Sequence, residues 1–452
     1  MDTIVALSTP AGRSAIAVIR VSGPESLRLA KLLVADPDFS PEPSRAVLKS
    51  VKTSDQTSVL DQCLLTYFQA PNSYTGEDVI EISCHGSPVV LRQVIDLILR
   101  YGGRLAGPGE FTMRGLANGK LNLSQAEAIR DLINAQTEAA AKQATRQLMG
   151  ELSQRLRPSE DRLIQTIVQL ESALEFVEDD LPAVRKQEIQ QTLTIIIESL
   201  ETLASTFAAG HLLRDGLRVT LAGRPNVGKS SLFNKLLAHE RAIVTDIPGT
   251  TRDTITEAIS INGVPVLLTD TAGLRESSDD VERIGVDRTR QAMADADLIV
   301  VVLDGSAELS NEDIDLLAQA RKLRHVIARN KSDLPDFHQR PGSNVSNGVQ
   351  SVDVSALTGS GVEALCAAIL APFGSLDSQN DGLLITNARH FDLLKRAANE
   401  IRSSFDLLEQ DASEELILIG LHNSLRFLGQ ITGETTTEDL LSEIFATFCI
   451  GK

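Results

Sequence analysis

Tryptophan is absent from this 452-residue chain, and with three Tyr and 13 Phe the aromatic fraction is only 4%. Aromatic platforms on which nucleic-acid bases stack are therefore scarce. Positive charge is short as well: 43 Lys and Arg stand against 61 Asp and Glu, a formal net charge of −18 with no polybasic run. That balance leaves no electrostatic footprint for nucleic acid or an anionic membrane. If RNA is a substrate, this chain does not grip it alone. The four cysteines, Cys63, Cys84, Cys366 and Cys449, are widely spaced and in no metal-ligand pattern. Cys84 adjoins His85, which makes chelation by both awkward, so a half-buried strand cysteine is expected there. Such usage fits a reducing cytosol. The segment MDTIVALSTPAGRSAIAVIRVSG has no basic region followed by an apolar core, and no apolar run reaches the roughly 20 residues of a membrane span. A soluble, cytoplasmic chain with no membrane partner is expected, long enough for two to four domains with their own cores.

The most informative stretch is Gly223 to Ser231, GRPNVGKSS. It follows an apolar run, Leu217 to Ala222, that reads as a buried strand, and it precedes an apolar-periodic helix from Leu232. This is the strand–loop–helix context that a phosphate-binding loop requires. Glycines let backbone N–H groups converge on phosphate oxygens, and a helix N-terminus adds partial positive charge. Asn226, Val227, Gly228, Lys229, Ser230 and Ser231 are the candidate phosphate contacts. Lys229 is placed to neutralise the β- and γ-phosphates and Ser230 to offer its hydroxyl to Mg2+. Three companions complete the pattern. Asp270-Thr271-Ala272-Gly273 follows a second apolar strand, Val264 to Leu268, and puts a carboxylate on the metal side. Asn330-Lys331-Ser332-Asp333 follows the strand around Val326 to Ala328. The Asp333 carboxylate can accept from guanine N1–H and N2–H2, a donor pair that adenine lacks. Ser355-Ala356 follows Val352 to Val354 and would brace the base. Four motifs in this order, each at a strand end, read as a GTPase domain.

Around that domain the character changes. Residues 1–120 are strand-rich, with half-buried strands at Ala15–Val21, Ser58–Phe68 and Asp78–His85 and one helix at Val89–Tyr101: an α+β domain. Residues 121–215 are helical, opening with one long helix over Ser124–Met149. Apolar stripes follow at Leu163, Ile167, Leu170, Leu174 and at Leu193, Ile196, Leu200, Leu203, Phe207. The nucleotide domain takes 216–375. Helical pattern resumes over 376–452, with Leu394, Ala398, Ile401, Phe405 and Leu408, then a run around Leu416 to Leu428. One bundle interrupted by an inserted GTPase domain explains this order, with Arg214–Gly216 and Gly374–Gly382 as the connections. Two unrelated helical hairpins are the alternative.

The nucleotide domain departs from the best-known small GTPases, where a Gln after Asp-x-x-Gly positions the attacking water. Here that position is Leu274. Glu282, within Asp280-Val281-Glu282-Arg283-Ile284-Gly285, is a candidate to order the water; a solvated acidic loop is the other reading. The Asn226 carbonyl, with backbone carbonyls from Thr245 to Thr250, suits a monovalent cation near the phosphates. Turn chemistry alone would also explain an Asn there. Thr251 is the natural second hydroxyl for Mg2+.

The sequences GRPNVGKSSL, TDIPGTTRD, DTAGLRESSDDVERIG and NKSD closely resemble the potassium-stimulated tRNA-modification GTPases of the MnmE (TrmE) family. The likeness runs the whole chain, through SYTGEDVIEISCHG, PGEFTMRGLANGKLNLSQAEAI and the terminal Phe448-Cys449-Ile450-Gly451-Lys452. The resemblance implies a multidomain α+β and α/β chain: an N-terminal tetrahydrofolate-binding-like domain that dimerises, a helical bundle, and an inserted Ras-like P-loop GTPase domain with a mostly parallel sheet. It implies folate contacts at Arg20, Glu81, Lys120 and Lys452. Without the family, Arg20 and Glu81 read equally well as an ordinary surface pair. It implies GTP contacts that include Thr245, Asp246, Ile247, Pro248, Gly249, Thr250 and Thr251, with K+ held by Asn226, Thr245, Ile247 and Thr250, Mg2+ by Ser230 and Thr251, and the water ordered by Glu282. It further implies a homodimer and a flavin-dependent partner of MnmG type that carries FAD. The implied chemistry adds a carboxymethylaminomethyl-type group to C5 of the wobble uridine of certain tRNAs. Its one-carbon unit comes from 5-formyl- or 5,10-methylene-tetrahydrofolate. Cys449 is open to two roles: nucleophile toward C6 of uridine, or part of a tail that only positions. A ribosome-assembly or signalling switch without one-carbon chemistry, and a dynamin-type GTPase, are the rival readings.

Overall fold

The computed structural model describes residues 2–175, 183–239, 255–270, 293–339, 350–373, 382–435 and 437–451. The chain divides into two compact units: Met1–Arg130, Leu148–Ser153 and Leu428–Lys452 in one, Asp131–Gln147 and Gln154–Phe427 in the other.

The first unit is built on Ile4–Leu7 (β1), Ser14–Ser22 (β2), Ser26–Val34 (α1), Ala46–Lys52 (β3), Val59–Phe68 (β4), Val79–Gly86 (β5), Pro88–Arg100 (α2), Arg104–Leu105 (β6), Glu110–Ala117 (α3) and Leu123–Asn134 (α4). Its sheet runs β3-β4-β5-β2-β1-β6. Every pairing is antiparallel except β1 with β6. Period-two alternation explains the faces. Ala17, Ile19, Val21, Cys63, Leu65, Ile80 and Ile82 point into a core shared with Leu29 and Leu33 of α1 and Val94 and Ile98 of α2. Ile4 and Ala6, of opposite parity to Val5, join Phe111 of α3 in a second cluster. Arg20 and Glu81 share that opposite parity. An ion network fixes α3 to the sheet edge: Glu110 Oε1 accepts from Arg104 Nη2 at 2.6 Å and from Arg114 Nη2 at 2.9 Å.

The second unit holds Glu138–Leu148 (α5, whose last residue lies in the first unit), Glu151–Glu175 (α6, which begins there too), Ala183–Ser205 (α7) and Phe207–Asp215 (α8). The expected single helix over 124–149 is in fact α4 and α5. Thr137 starts a new helix, because its Oγ1 accepts from the Ala140 N–H at 3.2 Å. Arg214 and Asp215 close α8 rather than forming a free connection, and Gly216 with φ of 75° ends it; 374–381 lie outside the described residues. Leu217–Ala222 (β7), Lys229–His239 (α9), Ile255–Ile261 (β8), Val264–Asp270 (β9), Leu298–Asp304 (β10), Asn311–Ala320 (α10), His325–Asn330 (β11), Ser351–Asp353 (β12) and Val362–Leu370 (α11) follow. Their sheet, β12-β11-β10-β7-β9-β8, is parallel except for β8 against β9. Leu232 and Leu236 of α9 and Leu365 and Ile369 of α11 cover one face. Leu317 and Ala320 of α10 cover the other.

Ala388–Glu409 (α12), Glu414–Thr432 (α13) and Glu438–Ala446 (α14) end the chain. The Ile189, Leu193, Ile196 and Leu200 stripe of α7 is buried, as are Leu394, Ala398 and Ile401 of α12, and Arg402 Nη2 meets Glu201 Oε1 at 2.7 Å. The expectation that no apolar run is long enough for a membrane needs correction: Arg185–Asp215 passes by length and composition. Its fully buried face shows where that apolar character goes, into packing within the helical layer.

Candidate functional site

β7 is buried at every position but Arg218, and it delivers the chain into the loop at Gly223. A Cβ on Gly223 would stand 2.5 Å from the Val302 carbonyl oxygen, so only glycine lets the loop leave between β7 and β10. Asn226 takes φ of 64° and Gly228 φ of 94°. Lys229, 6% exposed, opens α9, and its Nζ donates to the carbonyls of Gly223 at 2.8 Å and Arg224 at 2.9 Å. The ammonium thus lies inside the ring of the loop. Val227 is buried, whereas Asn226, Ser230 and Ser231 are exposed at the loop and the helix start. Arg224 reaches away from the loop to Asp313 of α10, Nε to Oδ2 at 3.1 Å, and Asp313 also caps that helix through Ser310. Asp270 is 1% exposed at the end of β9, one strand away from the loop and in register with Leu221.

The base side is tied to the phosphate side by Asn330. Its Nδ2 donates to the Val227 carbonyl at 2.8 Å, and its Oδ1 accepts from the Ala356 N–H at 3.0 Å. One buried amide therefore holds the phosphate loop and the Ser355–Ala356 loop together. Asp333 Oδ1 accepts from Ser355 Oγ at 2.6 Å, which orients the carboxylate. Lys331 pairs with Asp304 at 2.6 Å. Burial pushes the Asp304 carboxyl up, but Lys331 and two donors from Ser306 hold it below its ordinary value. Thr245, Asp246, Ile247, Pro248, Gly249, Thr250, Thr251, Thr271, Ala272, Gly273 and Glu282 lie outside the described residues, as does Lys452.

A second polar group stands on the first unit's sheet. Arg20 and Glu81 are register partners on β2 and β5, and Arg20 Nε and Nη2 both donate to Glu81 Oε1, at 3.0 and 2.7 Å. The Arg20 guanidinium sits 5.1 Å from the Tyr74 ring centroid and 5.8 Å from that of Phe111. Burial pushes the Tyr74 phenol up, and its hydroxyl shares a 2.7 Å hydrogen bond with Thr112. Sequence reasoning missed Tyr74 and Phe111 as site residues, although both fall inside SYTGEDVIEISCHG and PGEFTMRG. Lys120 is exposed and lies beside the Tyr74–Gly76 turn, where a Cβ on Gly76 would be 3.3 Å from its Cγ. The C-terminal tail reaches the same unit. Ile450 bridges Pro108, the Gly109 N–H donates to the Cys449 carbonyl at 3.3 Å, and Ser8 Oγ donates to the Gly451 carbonyl at 3.0 Å. Cys449 is thereby held two residues from Phe111, with its thiol exposed. The other cysteines depart from expectation. Cys84 is fully buried rather than half-buried, and Cys63 lies against it.

Two family models match: the MnmE helical domain over residues 123–449 and the GTP-binding protein TrmE N-terminus over 3–120. The tRNA modification GTPase MnmE of Aquifex aeolicus is 44% identical over 100% of both chains. The chain belongs to the MnmE family. The Bacillus subtilis MnmE is 40% identical, again over 100% of both chains. Among solved structures, the G domain of the T. maritima FeoB iron transporter is 29% identical over 34% of this chain and 97% of its own. Its TM-score is 0.27, too low to bear on the fold.

In this MnmE-family site Gly228 sits against the Asn330 amide. A Cβ there would stand 2.3 Å from Asn330 Nδ2 and would need φ of 94°. Gly228→Ala should therefore break the Asn330 bridge and strain the loop. Strain of this kind costs roughly 1–3 kcal/mol, so GTP affinity should fall about 10- to 100-fold. Titration with a fluorescent GTP analogue would read it, and unchanged affinity would mean that the loop rearranges freely.

Proposed function

We propose that this chain is a GTP hydrolase whose turnover serves tRNA modification, as one half of a machine that substitutes C5 of the wobble uridine of certain tRNAs. The observation that carries the nucleotide half is the Asn330 bridge: phosphate loop, Asp333 and the Ser355–Ala356 loop are one hydrogen-bonded frame. Such a frame positions guanine and triphosphate relative to each other before either binds. Lys229 neutralises phosphate charge, Asp333 reads guanine, and Ser355 and Ala356 brace it. Ser230 and Thr251 would hold Mg2+, which supplies charge neutralisation between the β- and γ-phosphates. The exposed Asn226 carbonyl, with Thr245, Ile247 and Thr250, would hold K+, which supplies positive charge where an arginine finger acts in other GTPases. Glu282 would orient the attacking water.

The one-carbon half rests on the first unit. Glu81, held by Arg20, whose guanidinium lies near the Tyr74 and Phe111 rings, suits a flat heteroaromatic with N–H donors, and a pterin is one. The exposed Lys120 and the tail residue Lys452 would take the glutamyl carboxylates of a tetrahydrofolate derivative. Cys449, backbone-anchored by Gly109, favours a positioning role for the tail over covalent attack. The domains act as 1–120 for folate and dimerisation, 121–215 and 376–452 as helical frame, and 216–375 for GTP. The acidic chain would work as a homodimer with a flavin-dependent MnmG-type partner in the cytoplasm. That partner carries FAD and supplies redox chemistry and much of the tRNA grip.

The test is mass spectrometry of tRNA nucleosides from cells lacking this chain, with and without its restoration. Loss of a C5-substituted wobble uridine, restored by the intact gene and not by Glu282→Ala, is expected. Unchanged uridines would favour a ribosome-assembly or signalling switch. A second measurement separates the halves. Arg20→Ala leaves Glu81 without its partner, and charge-assisted hydrogen bonds contribute about 1.5–3 kcal/mol. Affinity for 5-formyl-tetrahydrofolate should fall roughly 10-fold or more by calorimetry, while GTP turnover stays as in the parent. Equal folate affinity would return Arg20 and Glu81 to an ordinary surface pair.

A further inference from the structure

Cys63 on β4 and Cys84 on β5 come together although 20 residues of strand and loop separate them. Leu64 pairs with Ser83 in the antiparallel ladder, so the next step along sets Cys63 directly opposite Cys84. Directly opposed antiparallel residues have Cα atoms about 4.5–5.5 Å apart, inside the range of about 4.4–6.8 Å that a disulfide spans. The two Sγ atoms are 3.5 Å apart, and both residues are buried, at 0% and 2% exposure.

Asp61 stands beside them, with its oxygen and both sulfurs within 4.8 Å of one another, so a metal is the first alternative. The carboxylate is already committed. Its Oδ1 accepts from the Gln62 N–H at 2.8 Å and faces His85 Nδ1 at 2.7 Å, and its Oδ2 accepts from the His85 N–H at 2.9 Å. Among the described residues no further His, Cys, Asp or Glu joins this group, and the cluster that holds both cysteines is apolar, with Leu65, Ile82 and Val94 among its members. They offer no fourth ligand, whereas tetrahedral sites for a thiolate-loving metal need four.

We propose that Cys63 and Cys84 are a redox-active pair that closes into a reversible cross-strand disulfide between β4 and β5, with a hydroperoxide as oxidant. Cys63 is kept as a neutral thiol by its contact with Cys84, by burial and by the Asp61 carboxylate, which together push it well above the ordinary thiol value. Cys84, at 2% exposure against 0% for Cys63, is the sulfur placed to meet the peroxide. Its sulfur takes one peroxide oxygen as the O–O bond breaks, giving a sulfenic acid and one water. The Cys63 sulfur then attacks the sulfenic sulfur, the S–S bond forms, and the hydroxyl leaves with the Cys63 proton as a second water. Two thiols have lost two electrons and two protons, and the peroxide has taken both. A cleft of ≈ 170 Å³ is lined by Thr53, Leu60, Gln93, Asp96, Leu97 and Arg100. Leu60 and Leu97 also pack in the cluster that contains both cysteines. The staple would join the two strands at a point three residues from Glu81. It would make the sheet that carries Arg20 and Glu81 responsive to oxidant, whatever ligand that pair serves.

The folded full-length chain, treated with hydrogen peroxide, alkylated and digested, provides the test. A linked peptide containing Cys63 and Cys84 is expected, with free thiols falling from four to two, and dithiothreitol should restore both. Cys449→Ser should leave the link intact, which separates it from chemistry at the exposed tail thiol. Cys84→Ser should abolish it and return Cys63 alkylated, with unchanged circular dichroism and GTP turnover showing that the variant folds; if it does not fold, Cys84→Ala replaces it. Recovery of Cys63 and Cys84 as thiols while Cys449 oxidises would overturn the proposal. So would a link that forms only in urea, or stoichiometric zinc on the untreated chain with no linked peptide.

Discussion

Asp333→Asn is expected to weaken GTP binding on the order of 10⁴-fold and to transfer preference to xanthosine triphosphate. In the proposed site guanine presents N1–H and N2–H2 to the Asp333 carboxylate, and an amide can accept only one of them and sets its own NH2 against the other. Sites built to hydrogen-bond a substrate reject the mismatched analogue by about 10⁴–10⁵, because buried polar groups are left unpaired. Xanthine replaces the exocyclic amine by a carbonyl, which the Asn NH2 can meet. The substitution keeps the side chain's shape, and Ser355 Oγ, now 2.6 Å from Oδ1, can still donate to the amide carbonyl. Asn330 is untouched, so the phosphate loop remains tied to Ala356 and the variant should fold and hydrolyse the new nucleotide. Competition between the two triphosphates for a fluorescent analogue is the measurement. Equal loss of both would mean that Asp333 holds the loop together rather than reading the base.

Glu282→Ala should lower GTP hydrolysis by about 10²-fold or more while leaving affinity nearly intact. The position after Asp-x-x-Gly is Leu274, which cannot orient water, so the task must fall to another polar group. A positioned acid or base contributes typically 10²–10⁴-fold to a rate. A residue that acts only on the attacking water leaves nucleotide binding unchanged. Single-turnover hydrolysis read beside nucleotide affinity separates the two. A parent-like rate would make Glu282 part of a solvated loop. The same assay run in KCl and in NaCl at matched ionic strength addresses Asn226. Faster turnover in KCl is expected, and equal rates would leave Asn226 with turn chemistry alone.

The phosphate loop was legible because its determinants are local. A strand, a glycine-bearing loop and a helix start lie within a few residues of one another, and the fold of β7 into α9 follows that order. Apolar stripes on α7 and α12 were equally plain, since a period of 3.6 is written in the sequence itself. Elements that depend on partners far along the chain were not. β8 is an edge strand seen only once it pairs with β9. The break between α4 and α5 turns on one hydroxyl, that of Thr137, in a stretch rich in helix formers. The meeting of Cys63 with Cys84 depends on strand register, which spacing along the chain does not reveal. Tyr74 and Phe111 flank Arg20 because a loop and a helix converge on β2, which nothing in their local sequence announces.

Pro108 meeting Ile450 gives the first unit a timetable. Its sheet and α3 come early in the chain, yet Phe445 and Phe448, which cover Ala126, and Gly451, which lies against Leu7 and Ser8, are made only after the whole of the second unit's sheet. During synthesis at about 5–20 residues per second, the N-terminal sheet must wait tens of seconds for its final pieces. Until then Ala126 lacks its aromatic cover and the Leu7–Ser8 edge lacks its last strand-like neighbour. A ribosome that stops early releases a chain whose first-made part is the one left unfinished. Whether synthesis has reached residues 445–451 is thus recorded in the β1 region, where a protease or chaperone can read it.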